Sequence, residues 1–92
     1  MNKKQLQTLI AIFTVPVPTD IKWKDVVSLF DALGATISQG KGSRVRIFLN
    51  GIKAVFHEPH PRKETDRGAV VSVREFLQKA GVTPEDYNGG SP

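Results

Sequence analysis

An α+β fold, in which two helices cover one face of a three-stranded antiparallel sheet and one further helix precedes them, is what this 92-residue sequence predicts. Three observations carry that expectation. From Gly40 to His57 apolar and polar residues alternate on both sides of an Asn50-Gly51 pair, the signature of a β-hairpin. On either side of this run, apolar residues recur at helical spacing and each stretch ends on a glycine, Gly34 or Gly81. The chain is also long enough for only one modest core.

Leu6, Leu9, Ile10 and Phe13 follow helical spacing behind a capping Asn2, so a short helix over Lys3 to Ile12 is expected. Thr14-Val15-Pro16-Val17-Pro18-Thr19-Asp20 then reads as a stiff connector, because each proline fixes its own φ and keeps the preceding residue out of the helical region. Thr19 or Asp20 is placed to cap a second helix whose inward stripe is Trp23, Val26, Val27, Phe30 and Leu33. Ala35 to Gln39 alternates as a short first strand before the Gly40-Lys41-Gly42-Ser43 turn.

The hairpin supplies the second and third strands, and its turn sets the register. Asn and Gly tolerate the positive φ that a two-residue type I′ turn needs at both positions. Leu49 then faces Ile52, Ile47 faces Ala54, and Val45 faces Phe56, which makes one side wholly apolar. The other side pairs Phe48 with Lys53, Arg46 with Val55, and Arg44 with His57. Such a face suits a polyanion. Pro59 and Pro61 end the third strand, a polar loop reaches Arg67, and a last helix from about Gly68 to Ala80 turns Val70, Val73, Phe76, Leu77 and Ala80 inward. The expected division is residues 1–20 as helix and connector, 21–86 as the main domain, and 87–92 as a frayed tail.

Composition narrows the function. There is no cysteine, which excludes disulfide frameworks, thiolate nucleophiles and cysteine zinc sites, and the chain suits a reducing cytoplasm. Neither a signal peptide nor a membrane span is read in the sequence, so no membrane partner is expected. Thirteen Lys and Arg against nine Asp and Glu give a net charge of +4, which favours anionic partners. His57-Glu58-Pro59-His60 does not converge two imidazoles as a helix would, and no metal site or other cofactor is expected.

The α-β-β-β-α order is similar to that of the double-stranded-RNA-binding fold. With its glycine-serine turn and proline-histidine pair, the sequence resembles the HicA toxins, small messenger-RNA-cleaving partners of HicB antitoxins. The resemblance runs from Trp23 to Val82. It rests on the helix ending Asp31-Ala32-Leu33-Gly34, on Gly42-Ser43 before the second strand, on Pro59-His60 after the third, and on Gly68 opening the last helix. It implies a metal-independent endoribonuclease acting on mRNA by general acid/base chemistry, silenced by an antitoxin that covers its active face, with no small-molecule substrate. One position departs from the family pattern. Gly-Ser-His, whose histidine is regarded as catalytic, is here Gly42-Ser43-Arg44.

The register offers a replacement, since His57 lies directly across from Arg44, where Cβ atoms are about 4.5–5.5 Å apart. Cleavage by a 2′-hydroxyl needs a base for its proton and positive charge for the phosphorane-like transition state, which His57 and Arg44 supply as base and phosphate clamp. An exposed strand histidine beside a solubilising arginine is the plainer alternative. Around this pair, Lys41, Ser43, Arg46, Phe48, Lys53 and His60 are candidate RNA contacts, with Phe48 suited to stacking on a base or to packing against a partner. Arg62, Lys63, Arg67 and Arg74 cluster near the start of the last helix, where free N–H groups favour phosphate, although a charge-rich loop is commonly just solvated. Two further readings stay open: a catalytically silent RNA-binding module, and a protein-interaction domain for an acidic partner.

Overall fold

The computed structural model describes residues 1–87, so the frayed tail expected over 87–92 lies outside the described residues except for Tyr87. Its elements are α1 (Lys3–Ile12), α2 (Trp23–Ala32), β1 (Thr36–Gln39), β2 (Arg44–Leu49), β3 (Ile52–His57) and α3 (Arg67–Lys79), followed by a single 3₁₀ turn at Pro84–Asp86. The strands form one antiparallel sheet in the order β1-β2-β3. All three helices bury side chains in the core that covers the sheet's inner face.

α1 begins with a reciprocal cap: Asn2 Oδ1 accepts the Gln5 N–H at 2.8 Å, and Gln5 Oε1 accepts the Asn2 N–H at 2.7 Å. Leu9 and Ile12 are fully buried, so this helix contributes to the same core as the sheet. Ile10, expected inward, is 40% exposed, because Thr8, Leu9 and Ile12 form the face that meets the neighbours. The far end of α1 is closed by Arg74, whose Nε donates to the Ile12 carbonyl at 2.8 Å and whose Nη2 donates to the Thr14 carbonyl at 3.1 Å. Arg74 therefore satisfies helix-end carbonyls that have no partner within the helix, which corrects the reading that grouped it with phosphate-facing cations.

α2 starts at Trp23, with Lys22 in the cap position and no side-chain cap, instead of at Thr19 or Asp20. The reason lies in the backbone just before it. Thr65 N–H donates to the Ile21 carbonyl at 2.7 Å, Trp23 N–H donates to the Lys63 carbonyl at 3.0 Å, and Lys22 forms an isolated antiparallel bridge with Glu64. Residues 21–23 are held extended by a segment far along the chain, and no local sequence signal announces that. On α2 the fully buried residues are Val26, Leu29 and Phe30, while Val27 and Leu33 are half-buried. α3 opens one residue earlier than expected, behind an Asp66 cap whose Oδ1 accepts the Ala69 N–H at 2.9 Å.

The hairpin adopts the register that its turn dictates. Asn50 and Gly51 have φ of 51° and 83°, the two positive values of a type I′ turn. Arg44 pairs with His57, Val45 with Phe56, Arg46 with Val55, Ile47 with Ala54, Phe48 with Lys53 and Leu49 with Ile52. Asn50 Nδ2 donates to the Ala80 carbonyl at 2.8 Å, which ties the turn to the end of α3. Beneath the sheet, Phe56 lies 5.9 Å from Phe30 in a stacked pair and 5.8 Å from Phe76 edge-to-face, with Trp23 at 6.4 Å. This aromatic cluster fixes the strand end on which the candidate chemistry sits.

Candidate functional site

Alternation along β2 and β3 places Arg44, Arg46, Phe48, Lys53, Val55 and His57 on the exposed face, opposite the core. Leu49 and Ile52, which flank the two-residue turn, exchange hydrogen bonds, so alternate pairs along the ladder do the same and those between do not. Arg44 and His57 fall in a non-hydrogen-bonded pair, the kind in which side chains approach most closely. The ladder continues one rung further, with the Glu58 N–H donating to the Ser43 carbonyl at 2.8 Å, so both residues of the pair are braced on each side.

Gly40 lets the opposing turn pack closely on Arg44. A Cβ at that position would meet Arg44 Cβ at 3.1 Å, a tight contact that glycine avoids, and its N–H donates to the Arg44 carbonyl at 2.8 Å. Ser43 Oγ then lies 3.4 Å from His57 Nδ1, a long contact that leaves Nε2 facing away from the serine. Sequence reasoning did not foresee this contact. A register places Ser43 opposite Glu58, and only the side-chain directions bring its hydroxyl diagonally to the histidine.

The remaining candidates divide among three depressions. His57, His60 and Arg62 line a groove of about 570 Å³ that continues to Gly68, Ala69 and Ser72 at the start of α3. Glu58, Glu64 and Asp66 line it as well, so its charge is mixed. Asp66 also occupies one of the helix's free N–H groups, which weakens the case for phosphate at that helix end. Arg46, Phe48 and Lys53 border a shallow hollow of about 290 Å³ on the outer sheet face together with Thr36, Ser38 and Val55. Lys63 joins Arg62 and His60 in a third cleft, whose opposite wall holds Lys22 and Lys24, two residues that the sequence alone does not single out. Lys41 and Arg67 are exposed and line none of these three depressions.

Among the described residues no three His, Cys, Asp or Glu side chains gather so as to hold a metal ion. No helix of the described residues is long and apolar enough to cross a membrane. The arrangement offers an imidazole beside a guanidinium on an open, cation-bearing surface, which is equipment for moving a proton next to a phosphate.

Compared with known families, the chain matches the one described as the HicA toxin of bacterial toxin-antitoxin systems, over residues 23–82. No curated protein and no solved structure matches.

Proposed function

From the premise that the chain belongs to the HicA toxins of bacterial toxin-antitoxin systems, we propose that it binds mRNA on the outer face of its sheet and cleaves it with His57. The observation that carries this reading is the direct cross-strand pairing of Arg44 with His57 on an exposed face. It gives the arginine in the Gly-Ser-Arg turn a titratable neighbour where the family pattern has a histidine.

In the proposed reaction His57 Nε2 takes the proton of a ribose 2′-hydroxyl, which requires the tautomer with hydrogen on Nδ1. Ser43 Oγ, 3.4 Å from Nδ1, supports that tautomer by accepting this hydrogen and acts as a positioning residue. The 2′-oxygen bonds to phosphorus while the Arg44 guanidinium offsets the charge that builds on the non-bridging oxygens. The bond to the 5′-oxygen breaks, and that oxygen takes a proton from His60, which lines the same groove. The products are a 2′,3′-cyclic phosphate and a 5′-hydroxyl end, with atoms and charge balanced and no metal required. A HicB-like antitoxin with an acidic surface would silence the toxin by covering this face, to which Phe48 and Val55 add exposed apolar area.

Expression of the chain alone should arrest growth, and His57→Ala should relieve the arrest while the purified variant melts like the wild type. Loss of one acid/base group should slow RNA cleavage by about 10²–10⁴-fold. Retained cleavage by His57→Ala would remove this histidine from the chemistry. An inactive wild type that still binds RNA would establish the silent RNA-binding module, the reading favoured by Arg44 standing where the family has histidine. In a His57→Ala background, Arg44→His should restore cleavage if both positions address one phosphate.

A further inference from the structure

The cleft between the start of α2 and the segment 58–63, about 400 Å³ in volume, shares His60 with the reaction described above, but its lysines take no part in that reaction. Lys22 and Lys24 stand on one wall and Arg62 and Lys63 on the other, with His60 beside them and Glu58 as the single acid. Among the described residues none of these four cations is in an ion pair, and the only such pair is Lys4 with Asp25 at 3.7 Å, outside the cleft. Facing cations repel one another, and a polyanion laid between them relieves the repulsion.

Backbone hydrogen bonding holds both walls in place. The Trp23-to-Lys63 hydrogen bond and the Lys22–Glu64 bridge join them directly, so the backbone that carries the cations is set before any ligand arrives. Trp23 lines the cleft but is only 6% exposed, which gives no free ring face for stacking. The exposed apolar side chains nearest the proposed reaction site, Phe48 and Val55, lie on the outer sheet face and not in this cleft. A cleft rich in lysine and lacking an apolar anchor fits a phosphate backbone better than it fits a protein segment. It is also continuous with the proposed reaction site, because Glu58, Pro59, His60 and Arg62 line both this cleft and the groove that holds His57.

We propose that Lys22 and Lys24, facing Arg62 and Lys63, form a second phosphate subsite for the RNA strand whose reacting phosphate lies at Arg44 and His57, an inference that rests on the RNA-directed function proposed above. The subsite holds the ribose-phosphate backbone without reading bases. It adds affinity and fixes the direction in which the strand leaves the reaction site.

The test measures binding of a 12-nucleotide single-stranded RNA across a salt series, using the full chain, the Lys22→Ala/Lys24→Ala variant, and a Lys3→Ala/Lys79→Ala control that removes the same charge from exposed positions elsewhere. The cleft variant should bind roughly tenfold more weakly at low salt, with a log–log salt slope shallower by about 0.7 for each phosphate that the protein no longer neutralises. The control should stay close to wild type in slope. Lys22 and Lys24 side chains are exposed, so the variant should melt within a few degrees of wild type, and Lys22→Gln/Lys24→Gln, which keeps more of each stem, should repeat the result. If the wild type binds RNA and the cleft variant binds no worse than the control, the subsite falls while the RNA-directed function stands. If the wild type itself fails to bind RNA, both fall.

Discussion

On the inner face of the hairpin Val45, Ile47, Leu49 and Phe56 are no more than 6% exposed, whereas on the outer face Phe48 is 44% and Val55 54% exposed. The two faces alternate residue by residue along the same two strands, so the split follows parity alone. Residues that hold the domain together and residues proposed to meet a partner are direct chain neighbours, yet their substitutions should have unrelated consequences. The register is what keeps them apart, because a slip of one residue would bury Arg44 and Arg46 and expose Val45 and Ile47.

The largest effect should come from Val45→Asp, which places an unpaired carboxylate at a site 1% exposed. Its cost, of several kcal/mol, is comparable with the roughly 5–15 kcal/mol that stabilises a small domain. Thermal melting by circular dichroism should show no cooperative transition, and a folded Val45→Asp variant would break the comparison outright. Phe56→Ala should remain folded but lose about 3–5 kcal/mol in urea unfolding, since its ring packs on Phe30, Phe76 and Trp23 at once. A loss under about 1 kcal/mol would mean that the aromatic cluster does not anchor the strand end that carries His57.

The smallest effect on stability belongs to the outer face. Arg46→Glu with Lys53→Glu should change unfolding free energy by no more than about 0.5 kcal/mol. The same double variant should associate more slowly with a HicB-like antitoxin, with a flatter dependence on salt, because it reverses the field that steers an acidic partner. Unchanged association kinetics would place the antitoxin elsewhere and make α1 the next surface to probe.

What the sequence revealed and what it hid divide along the same physical line. The hairpin register, the Arg44–His57 pairing and the glycine ends of α2 and α3 follow from rules that act over a few residues, so they can be read without coordinates. The start of α2 could not be read so. Its cap was expected at Thr19 or Asp20, but Ile21 and Trp23 are held by Thr65 and Lys63 through backbone hydrogen bonds, which leave no trace in side-chain identity. The lysine cleft is hidden for the same reason, since Lys22 and Lys24 meet Lys63 only because those two stretches of backbone pair. Arg74 misled in the opposite direction. Its place in a basic cluster suggested an anion, while its guanidinium is occupied by the Ile12 and Thr14 carbonyls.

That guanidinium also orders events in time. The hydrogen bond between Arg74 and Ile12 spans 62 residues, and at roughly 5–20 residues per second a ribosome needs about 3–12 s to deliver the second partner after the first. Throughout that interval the Ile12 and Thr14 carbonyls lack this partner, and α1 has α2 to pack on but not α3. The hairpin can close early because its pairing is local, but the layer that supports it is completed only when α3 arrives. A nascent chain therefore carries its cationic face on an unfinished scaffold until synthesis has passed α3.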